Sequence, residues 1–255
     1  MRCPGCVPCR ALLLALFAGT LAAQPASNLG TVSDEEINRI VESVGTNDTE
    51  KRVIRRRLAG WKDLSMSAKY KSAADPEKLK AVNEFMHETP FYCDPVLWCK
   101  EDYWAKPVEF LSNDGGDCED FSIAKYFTLR ALGIAEERLR IVYAVYQKPG
   151  FTGAHMVLAY YAAPDAEPLI LDNLNPAVLP ASGRPDLVPV FSFNTQGLWG
   201  AKDNKGRGGA PTDAYRAWSD HWKQVQTEGA VRSVSPEQRK GSACQTLIQA
   251  SPWCR

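Results

Sequence analysis

Gly115-Gly116-Asp117-Cys118-Glu119-Asp120-Phe121 is the stretch around which the chain organises itself. Two glycines permit a sharp turn, Asp117 can cap a helix, and Phe121, Ala124, Phe127, Thr128, Ala131 and Leu132 follow at the spacing of one helical face. The pattern predicts a helix that starts at Cys118 and ends near Gly133, a natural C-cap. A thiol in a first helical turn feels the positive end of the dipole and the unpaired backbone N–H groups, so its pKa is expected to fall. A small residue packing the helix start would suit the same position. The rest of the chain decides between the two.

With 255 residues, 45% of them hydrophobic and 24% charged, the chain has the size and composition of one substantial globular domain. Its first 22 residues stand apart. Arg2 and Arg10 precede an apolar run of eleven residues, Ala11 to Leu21, and Thr20-Leu21-Ala22 supplies the small residues of a cleavage site. This is the pattern of a cleavable export signal, and the run is too short to span a bilayer. Without residues 1–22 the 30 basic and 30 acidic residues become 28 and 30, a net charge near −2 that argues against a nucleic-acid partner. Five of the eight cysteines remain: Cys93, Cys99, Cys118, Cys244 and Cys254. In an oxidising compartment four can pair and one stays free. Closeness in sequence favours Cys93 with Cys99 and Cys244 with Cys254, leaving Cys118 as a thiol, although other pairings of the four stay open.

Along the chain, Ser33 and Glu36 have capping-box spacing ahead of Ile37, Ile40 and Val41, which predicts a helix start. A second helix is predicted over 50–64, with Val53, Ile54, Leu58 and Trp61 inward and the cations Lys51, Arg52, Arg55, Arg56 and Arg57 wet. Asp75-Pro76-Glu77 opens a third, running to His87, which reads as a surface residue. Residues 89–114 read as loop, rich in aromatics (Phe91, Tyr92, Trp98, Tyr103, Trp104) that can wall a groove or fill a core. Strands are predicted over 139–146, 154–161, 169–171 and 187–193. A glycine-rich mobile loop or lid is expected over 200–211, and a last helix over 213–228 with His221 on or near its polar face. Helices followed by strands with no helix between them point to an α+β fold, an antiparallel sheet packed on helices.

The chemistry gathers on three residues. His155, in Gly153-Ala154-His155-Met156, lies in a predicted strand, and Asp172 closes the run Leu169-Ile170-Leu171. If these strands are antiparallel neighbours, imidazole and carboxylate meet at one edge and the helix start presents Cys118 to the ring. Nucleophile, base and orienting acid are then assembled, with the Cys118 backbone N–H as an oxyanion donor.

Gly116-Asp117-Cys118-Glu119-Asp120-Phe121, Ala124-Lys125-Tyr126, His155-Met156-Val157-Leu158, Leu171-Asp172-Asn173 and Arg184-Pro185-Asp186-Leu187 occur in this order. Together they resemble the bacterial transglutaminase-like cysteine peptidases, above all their periplasmic adhesin-processing branch, over about residues 61–199. The resemblance implies a papain- or transglutaminase-like core with additional N-terminal helices and a Cys118, His155, Asp172 triad. It implies limited cleavage of the N-terminal region of a large repetitive surface adhesin, at paired alanines, with release of the adhesin and biofilm dispersal. An inner-membrane receptor for cyclic di-GMP would hold the enzyme inactive. It also implies calcium beside the nucleophile, for which Asp117, Glu119 and Asp120 are hard oxygen ligands. Neither disulfide is demanded by the resemblance. Two other activities fit the same residues: an acyl transferase that joins glutamine to an amine through the same thioester, and a secreted calcium-binding protein with an inert Cys118.

Overall fold

The structure is a computed structural model that describes residues 30–200, 215–226 and 231–251. The expected export signal, nearly all of the glycine-rich segment and Cys254 lie outside them. Helix α1 (Asp34–Val44) begins where Ser33 accepts the Glu36 N–H at 3.1 Å, and α2 (Asp48–Met66) where Asn47 accepts those of Thr49 and Glu50. Ile54, Leu58 and Trp61 recur at helical spacing and form the buried stripe of α2, while Arg52, Arg55 and Arg56 face solvent. Val53, expected inward, is exposed because the turn that buries Ile54 swings its neighbour onto the basic side. Trp61 Nε1 donates to Thr128 Oγ1 at 2.8 Å, pinning α2 to the nucleophile helix.

Helices α3 (Ala68–Ser72) and α4 (Asp75–His87) follow. His87 is half-buried, not a surface residue, with Nδ1 2.7 Å from the Asn83 carbonyl. The expected loop 89–114 contains two short helices, α5 (Asp94–Leu97) and α6 (Pro107–Ser112), each with a proline in its first turn. Elements of four and six residues are too short to show a period.

Helix α7 (Cys118–Ala131) is buried all round from Glu119 to Leu129, since the sheet packs on one side and α2, α4 and α6 on the other. The sheet comprises β1 (Leu139–Lys148), β2 (Phe151–Tyr160), β3 (Leu169–Leu171), β4 (Leu179–Pro180), β5 (Leu187–Phe193) and β6 (Leu198–Gly200). Their order is β4-β3-β2-β1-β5-β6 and every pairing is antiparallel, the α+β arrangement expected from the order of elements. α7 covers one face of the sheet. On the other, Val142, Val157, Ala159, Tyr161 and Ile170 form a smaller apolar cluster.

Helix α8 (Arg216–Gln226) closes the core with Trp218, whose Nε1 donates to the Asn194 carbonyl at 2.9 Å. His221 is buried rather than polar-facing: Nδ1 lies 3.0 Å from the Trp104 carbonyl, and burial pushes its pKa down to about 4. Helices α9 (Pro236–Arg239) and α10 (Ser242–Ala250) were not foreseen. Helix α10 packs on α5, so Cys244 bonds to Cys99 across 145 residues of sequence, overturning both expected local pairings. Cys93 is disulfide-bonded as well, but not to Cys99. Short separation does not set connectivity here; the docking of the C-terminal helix does. No helix among the described residues is long and apolar enough to cross a membrane.

Candidate active site

The glycines ahead of α7 are required by close approach. A Cβ on Gly115, whose φ is +149°, would stand 2.1 Å from the Pro90 carbonyl oxygen. That contact lets Gly116 bridge to Phe91 and accept the Tyr92 N–H at 2.9 Å, so the loop before α5 is stitched to the turn before α7. Cys118 then emerges at the helix start, against β2.

Cys118 is the free cysteine of the described residues and is half-buried. The Met156 N–H, next along β2 from His155, reaches its sulfur. Its thiol donates to Glu119 Oε2 at 3.2 Å. Burial first, then the charges of Glu119 and Asp117, push the thiol pKa well up, opposite to the fall expected from the helix dipole. Burial, with two carboxylates within a residue, outweighs the half-charge of a helix end.

The pairing of Leu158 with Leu171 sets β2 and β3 side by side and brings Asp172, one residue past β3, to His155. His155 Nε2 lies 2.7 Å from Asp172 Oδ1 and both side chains are buried. Burial works against the Asp172 charge, but the His155 hydrogen bond, the Leu174 N–H and Arg184 outweigh it and hold the carboxyl at about 2. An ionised carboxylate only accepts, so the imidazole donates from Nε2 and keeps Nδ1 as its basic nitrogen. Arg184 Nη2 lies 2.6 Å from Asp172 Oδ2 and 2.8 Å from Asp186 Oδ2. The sequence assigned no role to Arg184, although it stands in the quoted Arg184-Pro185-Asp186 run.

Three carboxylates gather behind the nucleophile. Asp94, Asp117 and Glu119 each offer one oxygen, and these oxygens lie within 4.8 Å of one another. Asp94 is the member that sequence reasoning missed; it comes from α5, held there by the Tyr103 N–H on its other oxygen. Asp120 stands outside this group. At the third position of α7 its Oδ1 accepts the Ala105 N–H at 2.7 Å, and its Oδ2 is buried without a hydrogen-bond partner among the described residues. Asp117, at the N-cap, caps no backbone N–H with its side chain. Asp94 Oδ1 and Asp117 Oδ1 are buried without a hydrogen-bond partner among the described residues. Burial and mutual repulsion raise all four carboxyl pKa values, that of Asp94 to about 9. Converging hard oxygens with unspent lone pairs fit a divalent cation such as calcium.

The aromatics of 89–114 divide. Trp98, Tyr103 and Trp104 are buried, whereas Phe91 and Tyr92, beside the nucleophile turn, and Leu174, beside the acid, are 50%, 40% and 50% exposed.

Residues 62–185 match the family described as bacterial transglutaminase-like cysteine proteinase BTLCP. Among solved structures, Legionella pneumophila LapG is 39% identical, with a TM-score of 0.63 over 76% of this chain and 97% of that one. The calcium-bound form of Legionella pneumophila LapG is 40% identical, with a TM-score of 0.62 over 76% and 99% of the two chains. Its EGTA-treated form is 39% identical, with a TM-score of 0.64 over 77% and 99%. No curated protein sequence matches.

Proposed function

Because this chain belongs to the bacterial transglutaminase-like cysteine proteinase family and is a cysteine peptidase, we propose that it is a calcium-dependent endopeptidase of the periplasm. Its substrate would be the N-terminal region of a large surface adhesin, cut to release the adhesin and disperse a biofilm. Cleavage of the export signal would leave a single domain over 23–255, under an inhibitory inner-membrane receptor for cyclic di-GMP. The observation that supports the enzymatic part is the buried His155–Asp172 pair at 2.7 Å, on a strand whose Met156 N–H, next to His155, reaches the free Cys118 at the start of α7.

In the proposed mechanism His155 takes the Cys118 proton at Nδ1, and the sulfur attacks the scissile carbonyl. The Cys118 backbone N–H, unpaired at the helix start, donates to the developing oxyanion. His155 then protonates the leaving amine, and Asp172, anchored by Arg184, holds the ring and stabilises its cation. Asp94, Asp117 and Glu119 would hold calcium. Bound there, the ion offsets the negative charge that keeps the proton on Cys118. Phe91, Tyr92 and Leu174, exposed near the nucleophile turn and the acid, would offer apolar contact to substrate side chains such as alanine.

The test uses the mature protein and a recombinant N-terminal fragment of a repetitive adhesin with paired alanines, encoded in the same genome. Calcium-dependent cleavage that is lost in Cys118→Ala is the expected result. Incorporation of an amine with ammonia release in place of cleavage would replace peptidase by transferase, and no reaction of Cys118 with iodoacetamide at neutral pH would make it a binding protein.

A further inference from the structure

Asp94 reaches the carboxylate cluster on a helix that cannot place itself. Helix α5 is four residues long, far below the length at which a helix is stable alone, so its position is whatever its tethers impose. On its N-terminal side the tethers are the Phe91–Gly116 bridge and the Tyr92 N–H, donated to the Gly116 carbonyl. Cys93, immediately before Asp94, is disulfide-bonded. On its C-terminal side stands Cys99, bonded to Cys244 of α10. Between these anchors Asp94 gives one oxygen to the Tyr103 N–H and turns Oδ1, buried and without a hydrogen-bond partner among the described residues, to the cluster.

The backbone at Cys99 is left-handed, with φ +52°, just past the Trp98 C-cap of α5. Glycine or asparagine commonly fills that place, because the conformation is costly for a residue with a Cβ. A cysteine there carries its sulfur to α10. Cys244 is buried, and its Sγ lies 3.3 Å from the carbonyl oxygen of Pro95, the residue after Asp94. The crosslink therefore joins the tail of α5 and rests against its first turn. Cys244 also stands outside residues 62–185, which match the family, whereas Asp94, Asp117 and Glu119 stand inside them. A segment beyond the matched region thus grips the one cluster acid that the nucleophile turn does not supply.

We infer that the Cys99–Cys244 bond is a positioning clamp for the cation site: through α5 it holds Asp94 against Asp117 and Glu119. Neither sulfur ligates the ion. Three buried carboxylates repel one another when ionised, and Asp94 is the one on a separate segment, so without the ion repulsion acts to carry α5 away from the start of α7. A covalent tie opposes that movement. It sets the third oxygen in place before calcium arrives, so less affinity is lost to ordering the site. The inference deepens the calcium reading above and rests on it.

Calcium titration calorimetry on the chelator-stripped mature protein tests it, with Cys99→Ser and Cys244→Ser combined in one variant and circular dichroism to confirm folding. Supports outside the ligand set of a metal site are worth about 10–100-fold in affinity, and a loss in that range is expected. Thr128→Val, which weakens the contact between α2 and α7, controls for destabilisation of the fold and is expected to leave calcium affinity unchanged. An unchanged affinity in the folded serine variant, or an equal loss in Thr128→Val, overturns the clamp and leaves the crosslink a general support of the fold. Where the serine variant does not fold, dithiothreitol replaces it: the bond takes up two electrons and two protons, the dithiol closes to its own disulfide, and alkylation mapping identifies Cys99 and Cys244 as thiols. The same loss of affinity is expected, and an unchanged affinity with that bond open overturns the clamp. Asp94→Asn separates the two levels: if it leaves calcium affinity unmoved, the cation site itself fails and the clamp with it, and if it weakens binding while opening the crosslink does not, only the clamp fails.

Discussion

Calcium removal should make the protein's stability pH-dependent in a direction that the carboxylate cluster dictates. Asp94 is buried beside Glu119, and its pKa rises from 3.8 to about 9 when no cation balances the group. A carboxyl raised on folding stabilises the native state fully below its unfolded pKa, and that contribution is lost as pH rises through the folded value. Between pH 3.8 and about 9 the chelated native state therefore keeps a proton that the unfolded chain releases. Stability then falls by about 1.4 kcal/mol per pH unit for each such proton, or about 4 kcal/mol between pH 5 and 8. Asp117, Glu119 and Asp120 shift the same way and can only steepen the slope. His221 and Lys125, both depressed by burial, act in the opposite sense. They enter the curves with and without calcium alike and drop out of the difference. Calcium binds the ionised ligands, so the stability it adds should widen from pH 5 to 8 by about 4 kcal/mol, roughly a 10 °C wider gap in Tm for a domain of this size. Thermal unfolding of resin-stripped protein, with and without saturating calcium, measures that gap at each pH. A gap that stays constant across the range would refute the assignment of Asp94 to a shared cation site.

Three further outcomes test the remaining framework. Asp172→Asn should keep the fold and lower peptide cleavage by about 10²–10⁴-fold, because an amide can donate where the carboxylate only accepts and the imidazole loses its fixed tautomer; steady-state kinetics on the adhesin fragment would read it. Thr128→Val leaves Trp61 Nε1 buried without its acceptor at 2.8 Å and should cost about 1–3 kcal/mol in urea unfolding, with activity at permissive conditions preserved. Peptide mapping without reduction should recover a crosslink between the peptides of Cys99 and Cys244, with iodoacetamide on Cys118; a Cys93–Cys99 crosslink would contradict the docking of α10 on α5.

The fold was legible where a segment carries its own period or cap. Ser33 with Glu36 marked α1, the Ile54, Leu58, Trp61 stripe marked α2, and the four apolar runs after Gly133 marked the strands that build most of the sheet. What stayed hidden is set by contacts between distant segments. The two-residue β4 exists only because β3 lies beside it. The Cys99–Cys244 bond exists because α10 docks on α5, a fact with no trace near either cysteine. His221 reads as polar on a helical wheel, yet the Trp104 carbonyl satisfies one ring nitrogen and lets the ring enter the core.

At the site the same division explains why the proposed triad residues could be picked out while the carboxylates proposed to hold the cation were only partly named. Cys118, His155 and Asp172 are each marked by type and by element, and antiparallel pairing of neighbouring strands brings the last two together at 2.7 Å. Asp117, Glu119 and Asp120 are consecutive or nearly so, and their types alone suggest one shared ion. The structure gathers a different set. Asp120 Oδ1 instead reaches across to the Ala105 N–H at 2.7 Å, bracing the turn. The vacated place in the cluster needs an acid from another segment, and α5, stitched to the turn through the Phe91–Gly116 bridge, delivers Asp94. Here the run of acids at the helix start supplies two of the three carboxylates in the cluster. A loop that the turn's glycines allow to approach has to supply the third.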